Sequence, residues 1–112
     1  MNELLKRQTE DAVVLQVKEV IRLSGLQIQR INTGCFKSGK RFIRTAQKGT
    51  LDFEGYDNHG RFVGIECKRP YGGRLSPEQK ARIADITSKV GVAFVAHSGS
   101  EALELLRKNN CL

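Results

Sequence analysis

The sequence from 52 to 68 constrains the fold most, because it is typical of a β-hairpin whose two faces differ in chemistry. The loop Asn58-His59-Gly60 ends in glycine, which supplies the left-handed position that three-residue hairpin loops need. Counting outward from that loop places Asp52 opposite Glu66, with Lys68 farther along the same face. The other face is predicted to be core and carries Leu51, Phe53, Val63, Ile65 and Cys67. We therefore expect one apolar face and one face of acids and a lysine.

The acidic face indicates a cation site. Two carboxylates opposite each other repel unless a cation or a shared proton lies between them, and the predicted pairing puts no arginine there. Mg²⁺ takes oxygen ligands and is commonly held by one or two carboxylates together with substrate phosphates. Beside such an ion, Lys68 could orient or deprotonate a water, or neutralise the charge on a phosphate.

An ordered set of short motifs surrounds this pair of acids. It comprises Glu10 in the first predicted helix, Arg30-Ile31-Asn32-Thr33-Gly34, the G-x-x-D of Gly49 to Asp52, the E-x-K of Glu66 to Lys68, and Gln79 in Ser76-Pro77-Glu78-Gln79. With these spacings, most of the chain resembles the PD-(D/E)xK nucleases and, within them, the VRR-NUC branch of virus-type replication and repair nucleases. One departure is Leu51, where members often have proline.

The resemblance implies a restriction-endonuclease-like core and a set of site residues. Asp52, Glu66 and the backbone carbonyl of Cys67 would hold Mg²⁺ or Mn²⁺, with Glu10 as a direct or water-mediated ligand and Lys68 as the catalytic lysine. The resemblance also suggests a homodimer that cuts branched DNA such as four-way junctions, with no small-molecule cofactor.

Gln79 has two interpretations. Ser76-x-x-Gln79 is a capping box, in which the glutamine side chain reaches back to the serine amide. Alternatively, Gln79 contacts the attacking water or the DNA.

The charge balance favours a polyanionic partner. The 112 residues carry 19 Lys and Arg against 12 Asp and Glu, a formal charge of +7. A basic excess of this size in a small domain points to nucleic acid, although ordinary solubility is the alternative. Residues 33–50 contain no acid, and we predict a basic loop there that follows phosphates or lies solvated on the surface. The predicted contacts are Lys37, Lys40, Arg41, Arg44 and Lys48, with Arg69 and Arg74 from the connection after the hairpin.

The remaining features indicate a single cytoplasmic domain over 1–112. Three cysteines without a C-x-x-C pair suit a reducing compartment. The chain starts without an apolar signal core, and no stretch approaches the ~20 apolar residues of a membrane span. His59 and His97 are expected to be structural.

The predicted element order is α-β-β-β-α-β-α, an α/β fold with a mixed sheet of about four strands flanked by helices. A strand–helix–strand order favours a right-handed crossover and parallel pairing for the last strand. The predicted elements are helix Thr9–Ser24, strands Leu26–Asn32, Asp52–Tyr56 and Phe62–Lys68, a helix from Ser76 to about Val90, strand Val92–Ala96 and helix Glu101–Lys108.

These features lead to one main functional hypothesis, a Mg²⁺- or Mn²⁺-dependent DNA endonuclease. The alternatives are a non-catalytic nucleic-acid-binding module with the same fold and a small protein-binding regulator. A pure binder has no need of carboxylates that face each other near phosphates, where they weaken binding.

Overall fold

The computed structural model describes residues 8–31, 35–38, 41–44 and 47–112, and for 35–38 and 41–44 it describes the backbone alone. The elements are α1 (Glu10–Ser24), β1 (Gln27–Arg30), β2 (Cys35–Ser38), β3 (Arg41–Arg44), β4 (Phe53–Tyr56), β5 (Phe62–Cys67), α2 (Pro77–Ser88), β6 (Val92–Ala96) and α3 (Gly99–Lys108). Strands β1, β4, β5 and β6 form, in that order, a four-stranded sheet. The β1–β4 and β4–β5 pairs are antiparallel and β5–β6 is parallel, which confirms the predicted α/β fold with a mixed sheet.

The central hairpin has the predicted register. Phe53 pairs with Ile65, and Tyr56 pairs with Phe62. At the loop, the Asp57 amide donates to the Arg61 carbonyl at 3.0 Å, and Gly60 takes a φ of +79°. The glycine thus occupies the left-handed position for which it was singled out.

Leu51 departs from the prediction that it lies on the core face. A Cβ built on Gly64 would come within 2.7 Å of Leu51 Cδ1 and 3.1 Å of Ile86 Cδ1. Gly64 pairs with Glu54, so Leu51 packs on the acidic face, beneath α2. The reason is that Leu51 precedes β4 and Asp52 lies in a bend, so the alternation of the strand does not extend back to Leu51.

The main core lies between the sheet and the helices α1 and α3. Helix α1 begins as predicted, with Thr9 Oγ1 accepting a hydrogen bond from the Ala12 amide at 3.1 Å, and it ends at Gly25, whose φ is +74°. Its apolar stripe packs against α3 and the apolar faces of β5 and β1, and each fully buried aliphatic side chain contributes roughly 1.5–3 kcal/mol. The buried residues of α1 are Val13, Val17 and Ile21, and α3 adds Ala102 and Leu106.

Helix α2 covers the opposite face and is shorter than predicted. It begins after the Ser76 cap but ends at Ser88. Val90, at which the predicted helix ended, is 79% exposed and has a φ of +68°. Among the residues of α2, only Ile86 is buried.

The basic run 33–50 was predicted to be a loop, but part of it forms two strands. Strands β2 and β3 form a separate antiparallel pair, with Cys35 opposite Arg44 and Ser38 opposite Arg41. Two four-residue strands that pair only with each other need no apolar face, so hydrophobic periodicity does not reveal them. Lys40, and the side chains of Lys37, Arg41 and Arg44, lie outside the described residues. Within the described part of the chain, no helix has the length and apolar character needed to cross a membrane.

Candidate metal centre

Three carboxylates from separate segments converge at one end of the sheet. Glu10 comes from the first turn of α1, Asp52 from the bend before β4, and Glu66 from β5. One oxygen from each lies within 4.8 Å of the other two. Glu66 and Asp52 are buried, at 2% and 9% exposure, whereas the Glu10 side chain is 49% exposed. The cluster therefore has a buried floor and one open side.

The backbone of the hairpin holds the two buried acids. The Asp52 amide donates to Glu66 Oε1 at 3.1 Å, and the Cys67 amide donates to Asp52 Oδ2 at 2.8 Å. Each carboxylate is thus anchored by the opposite strand, as the predicted register requires. The second bond also brings the Cys67 peptide beside the acids, where its carbonyl was predicted to be a ligand. Burial, followed by the charges of Asp52 and Glu66, raises the pKa of the Cys67 thiol, so this side chain stays protonated.

Lys68 supplies a positive charge to the cluster. Its Nζ lies 3.2 Å from Glu66 Oε2 and 3.5 Å from Glu10 Oε1, with the side chain 14% exposed. Burial acts to lower the pKa of Lys68, but the hydrogen bond and charge of Glu66, together with Glu10, outweigh it and raise the pKa. The ammonium group therefore stays charged, which suits a role as hydrogen-bond donor or counter-charge and does not suit a general base.

The pKa of Glu66 is strongly raised by its surroundings. Burial and then the charge of Asp52 raise the pKa of Glu66 to about 7, even though Lys68 acts to lower it. The ionised form is therefore costly unless more positive charge is present. The donors are all oxygen atoms, closely spaced and mostly shielded from water. This donor set fits a hard divalent cation such as Mg²⁺ or Mn²⁺.

Arg30 is a site residue that the sequence analysis missed. Its Nη1 lies 3.3 Å from Asp52 Oδ1 and also 3.3 Å from the Asp52 carbonyl oxygen. Its Cζ lies over the Phe53 ring, 5.8 Å from the ring centroid. The predicted hairpin had no arginine beside its acids, because Arg30 comes from β1, where it pairs with Phe53. Only the register between β1 and β4 would have revealed this contact.

Gln79 forms the predicted capping box and also contacts the acid cluster, whereas its predicted contact with the attacking water or the DNA stays a prediction. Its Oε1 accepts from the Ser76 amide at 2.9 Å, and its own amide donates to Ser76 Oγ at 3.1 Å, which completes the capping box. Its Nε2 meanwhile donates to Glu66 Oε2 at 2.7 Å. One side chain therefore both caps α2 and orients a carboxylate of the cluster.

Gly49 lets the start of α2 approach the cluster. It has a φ of +92°, and a Cβ there would lie 2.7 Å from the Glu78 carbonyl oxygen. The glycine of the G-x-x-D motif is thus required by close backbone contact as well as by its conformation.

Glu54 lies on the same face of the hairpin but is separately neutralised. Arg82 on α2 donates to it from Nη2 at 2.8 Å and from Nε at 3.1 Å. Glu54 Oε2 also accepts from the Leu51 amide at 3.1 Å. This bidentate pair, which the sequence analysis did not anticipate, attaches α2 to the sheet.

The predicted nucleic-acid contacts fall into two groups among the residues whose side chains are described. Arg69 and Arg74 line an open cleft of about 400 Å³ whose walls also include Glu10 and Lys68. Lys48 instead forms an exposed ion pair with Glu78 at 3.0 Å. His97 pairs with Glu101 at 2.9 Å at the start of α3, which agrees with its structural interpretation.

Comparison of the chain with protein-family models, with curated proteins and with solved structures gave no match. The nuclease family suggested by the motifs therefore remains a prediction from the sequence.

Proposed function

We propose that the protein is a Mg²⁺- or Mn²⁺-dependent endonuclease that hydrolyses phosphodiester bonds in DNA. The observation that carries the proposal is the convergence of Glu10, Asp52 and Glu66 within 4.8 Å, beside Lys68. We further propose that the fold is a restriction-endonuclease-like core of the VRR-NUC type. The support for that family is the order of the motifs along the chain together with the meeting of their acids in space.

Each residue has a distinct role in this proposal. Asp52, Glu66 and the Cys67 carbonyl would hold the ion, with Glu10 completing the set from the open side. A bound divalent ion would polarise the scissile phosphate and lower the pKa of a coordinated water. Lys68, which stays protonated, donates a hydrogen bond to the attacking water or to the phosphate as negative charge develops. Gln79 fixes the orientation of Glu66 through its 2.7 Å hydrogen bond.

The substrate is proposed from charge and symmetry. The net charge of +7 favours a polyanion, and Arg69 and Arg74 lie in the cleft next to the acids. We propose branched DNA, such as a four-way junction, as the substrate and a homodimer as the active form. A two-fold dimer would hold two active sites at a fixed separation, as paired cuts require.

A cleavage assay tests the proposal. The substrates are junction, flap, duplex and single-stranded DNA, each incubated with Mg²⁺, with Mn²⁺ or with EDTA. We expect metal-dependent cutting that Lys68→Ala reduces by about a hundredfold or more, since it removes a hydrogen bond and charge directed at the transition state. Lys80→Ala, which removes an exposed lysine of α2, is the matched control and should cut normally. Undiminished cutting by Lys68→Ala, or no cutting of any substrate, would reject the activity.

One observation favours the second candidate, a non-catalytic nucleic-acid-binding module. Lys68 and Arg30 already contact the acids, so the cluster is partly neutralised without a metal. A pure binder would bind DNA in a salt-sensitive manner, unaffected by EDTA and by Asp52→Asn. The endonuclease proposal predicts instead that Asp52→Asn abolishes cutting while DNA binding persists.

A further inference from the structure

The cleft beside the acid cluster carries groups that the proposed chemistry does not use. The first turn of α1 forms one wall, and the segment 68–74 after β5 forms the other. Its volume of about 400 Å³ falls within the ~300–1,000 Å³ of sites that hold small organic ligands. Because Glu10 and Lys68 belong to both the cleft and the cluster, any group bound in the cleft adjoins the proposed metal centre.

The chemistry of the cleft matches a nucleotide. Arg69 and Arg74 are exposed guanidinium groups, which bind phosphate in a planar, bidentate manner. Tyr71, between them in sequence, also lines the cleft and is 39% exposed. Aromatic side chains that alternate with cations are the usual means of binding single-stranded nucleic acid, since every base has a face that can stack.

The turn that carries Tyr71 is packed closely against the catalytic lysine. Gly72 has a φ of +78°, and a Cβ on Gly73 would lie 3.0 Å from Lys68 Cβ. The turn therefore folds back on the end of β5. Tyr71 is thereby held near Lys68 on a short, tightly packed connection.

We propose that this cleft binds one unpaired nucleotide of DNA next to the scissile phosphate, with its base stacked on Tyr71 and its phosphate held by Arg69 and Arg74. The inference rests on the proposed function and narrows its substrate class. A paired base is stacked inside the duplex and cannot present its face to Tyr71 unless it is extruded. The preferred substrates are therefore those that are unpaired at the nucleotide beside the cut.

Binding of a short single strand and of the matching duplex, measured with Ca²⁺ in place of Mg²⁺, tests the inference. We expect Tyr71→Ala to weaken single-strand binding about tenfold and to change duplex binding far less, because the loss is that of one stacked base. Tyr71→Phe keeps the ring and should bind as the wild type does. Tyr56→Ala is the matched control, because Tyr56 is a 54% exposed tyrosine on β4, outside the cleft.

Photocrosslinking of the unaltered protein supplies a readout that needs no substitution. A short single strand that carries one 5-iodouracil should crosslink to Tyr71 under near-ultraviolet light, as identified by mass spectrometry of the peptide spanning 69–74. Crosslinks that map outside this segment, or equal binding by Tyr71→Ala and Tyr56→Ala, would overturn the inference.

Cleavage by the same proteins separates this inference from the proposed function. If the wild type cuts DNA but neither Tyr71 readout appears, the nucleotide cleft is wrong and the endonuclease stands. If both Tyr71 readouts appear without cutting of any substrate, the endonuclease is wrong and the cleft still binds an unpaired nucleotide.

Discussion

At the residue scale, Glu66 makes stability depend on pH. In the unfolded chain this carboxyl ionises near pH 4.5, whereas in the fold its pKa is about 7. Between these values the folded state binds more protons than the unfolded state, so the free energy of unfolding falls as pH rises. We expect Glu66 to contribute a loss of about 3 kcal/mol across this window in metal-free protein, measured by urea denaturation at a series of pH values.

Asp52→Asn tests the cause of that loss. The substitution removes the neighbouring charge, the second contributor after burial, and an amide oxygen can still accept from the Cys67 amide. We expect the pKa of Glu66 to fall and the stability curve to become shallower. Asp85→Asn, at an exposed acid paired with Lys89, is the control. Parallel curves for wild type and Asp52→Asn would show that the two carboxylates are not electrostatically coupled.

Gln79 allows the two roles of one side chain to be separated. Ser76→Ala removes part of the helix cap and should cost about 1 kcal/mol. Gln79→Ala removes its share of the cap and also the donor to Glu66, so we expect a larger loss of stability and weaker Mn²⁺ binding. The measurements are denaturation midpoints and Mn²⁺ titration by calorimetry. Equal Mn²⁺ affinities for the two variants would confine Gln79 to capping.

At the element scale, local patterns predicted those elements whose signals lie within a short stretch of chain. The loop glycine at 60 and the alternation around it predicted the hairpin register, and the predicted helix Thr9–Ser24 differs from α1 only by its first residue. Contacts between elements distant in sequence were not predictable. Arg30 reaches Asp52 only through the β1–β4 pairing, and the Glu54–Arg82 pair depends on how α2 packs against the sheet.

Gly49 provides a test of how closely α2 must approach the cluster. Gly49→Ala meets both an unfavourable φ of +92° and a contact of 2.7 Å with the Glu78 carbonyl. We expect a loss of about 2–4 kcal/mol, measured by chemical denaturation. Gly60→Ala is the matched control, with a φ of +79° and no atom within 4 Å of the added Cβ. It should cost only about 1 kcal/mol, from backbone conformation alone. Similar losses would mean that α2 can shift freely to make room.

At the scale of the whole molecule, the acid cluster joins segments that the sheet and core bring together. Glu10 lies at the start of α1, and Asp52 and Glu66 lie on the central hairpin, so an ion bound by all three opposes unfolding of the entire domain. A ligand at about 100 times its Kd stabilises a fold by about 2.7 kcal/mol. For a domain of this size, that corresponds to a rise of about 10 °C in Tm.

We therefore expect the Tm of the protein to rise with Mn²⁺ concentration, and Glu10→Gln to reduce that rise. The amide oxygen of the new glutamine can still accept from Lys68, so the metal-free fold should keep its Tm. Glu19→Gln is the control, because Glu19 lies on the same helix, is exposed and pairs with Arg22 away from the cluster. Thermal scans with and without Mn²⁺ make the comparison. If Mn²⁺ raises the Tm of all three proteins equally, Glu10 is not a ligand. If Mn²⁺ does not raise the Tm of the wild type, the three acids hold no metal.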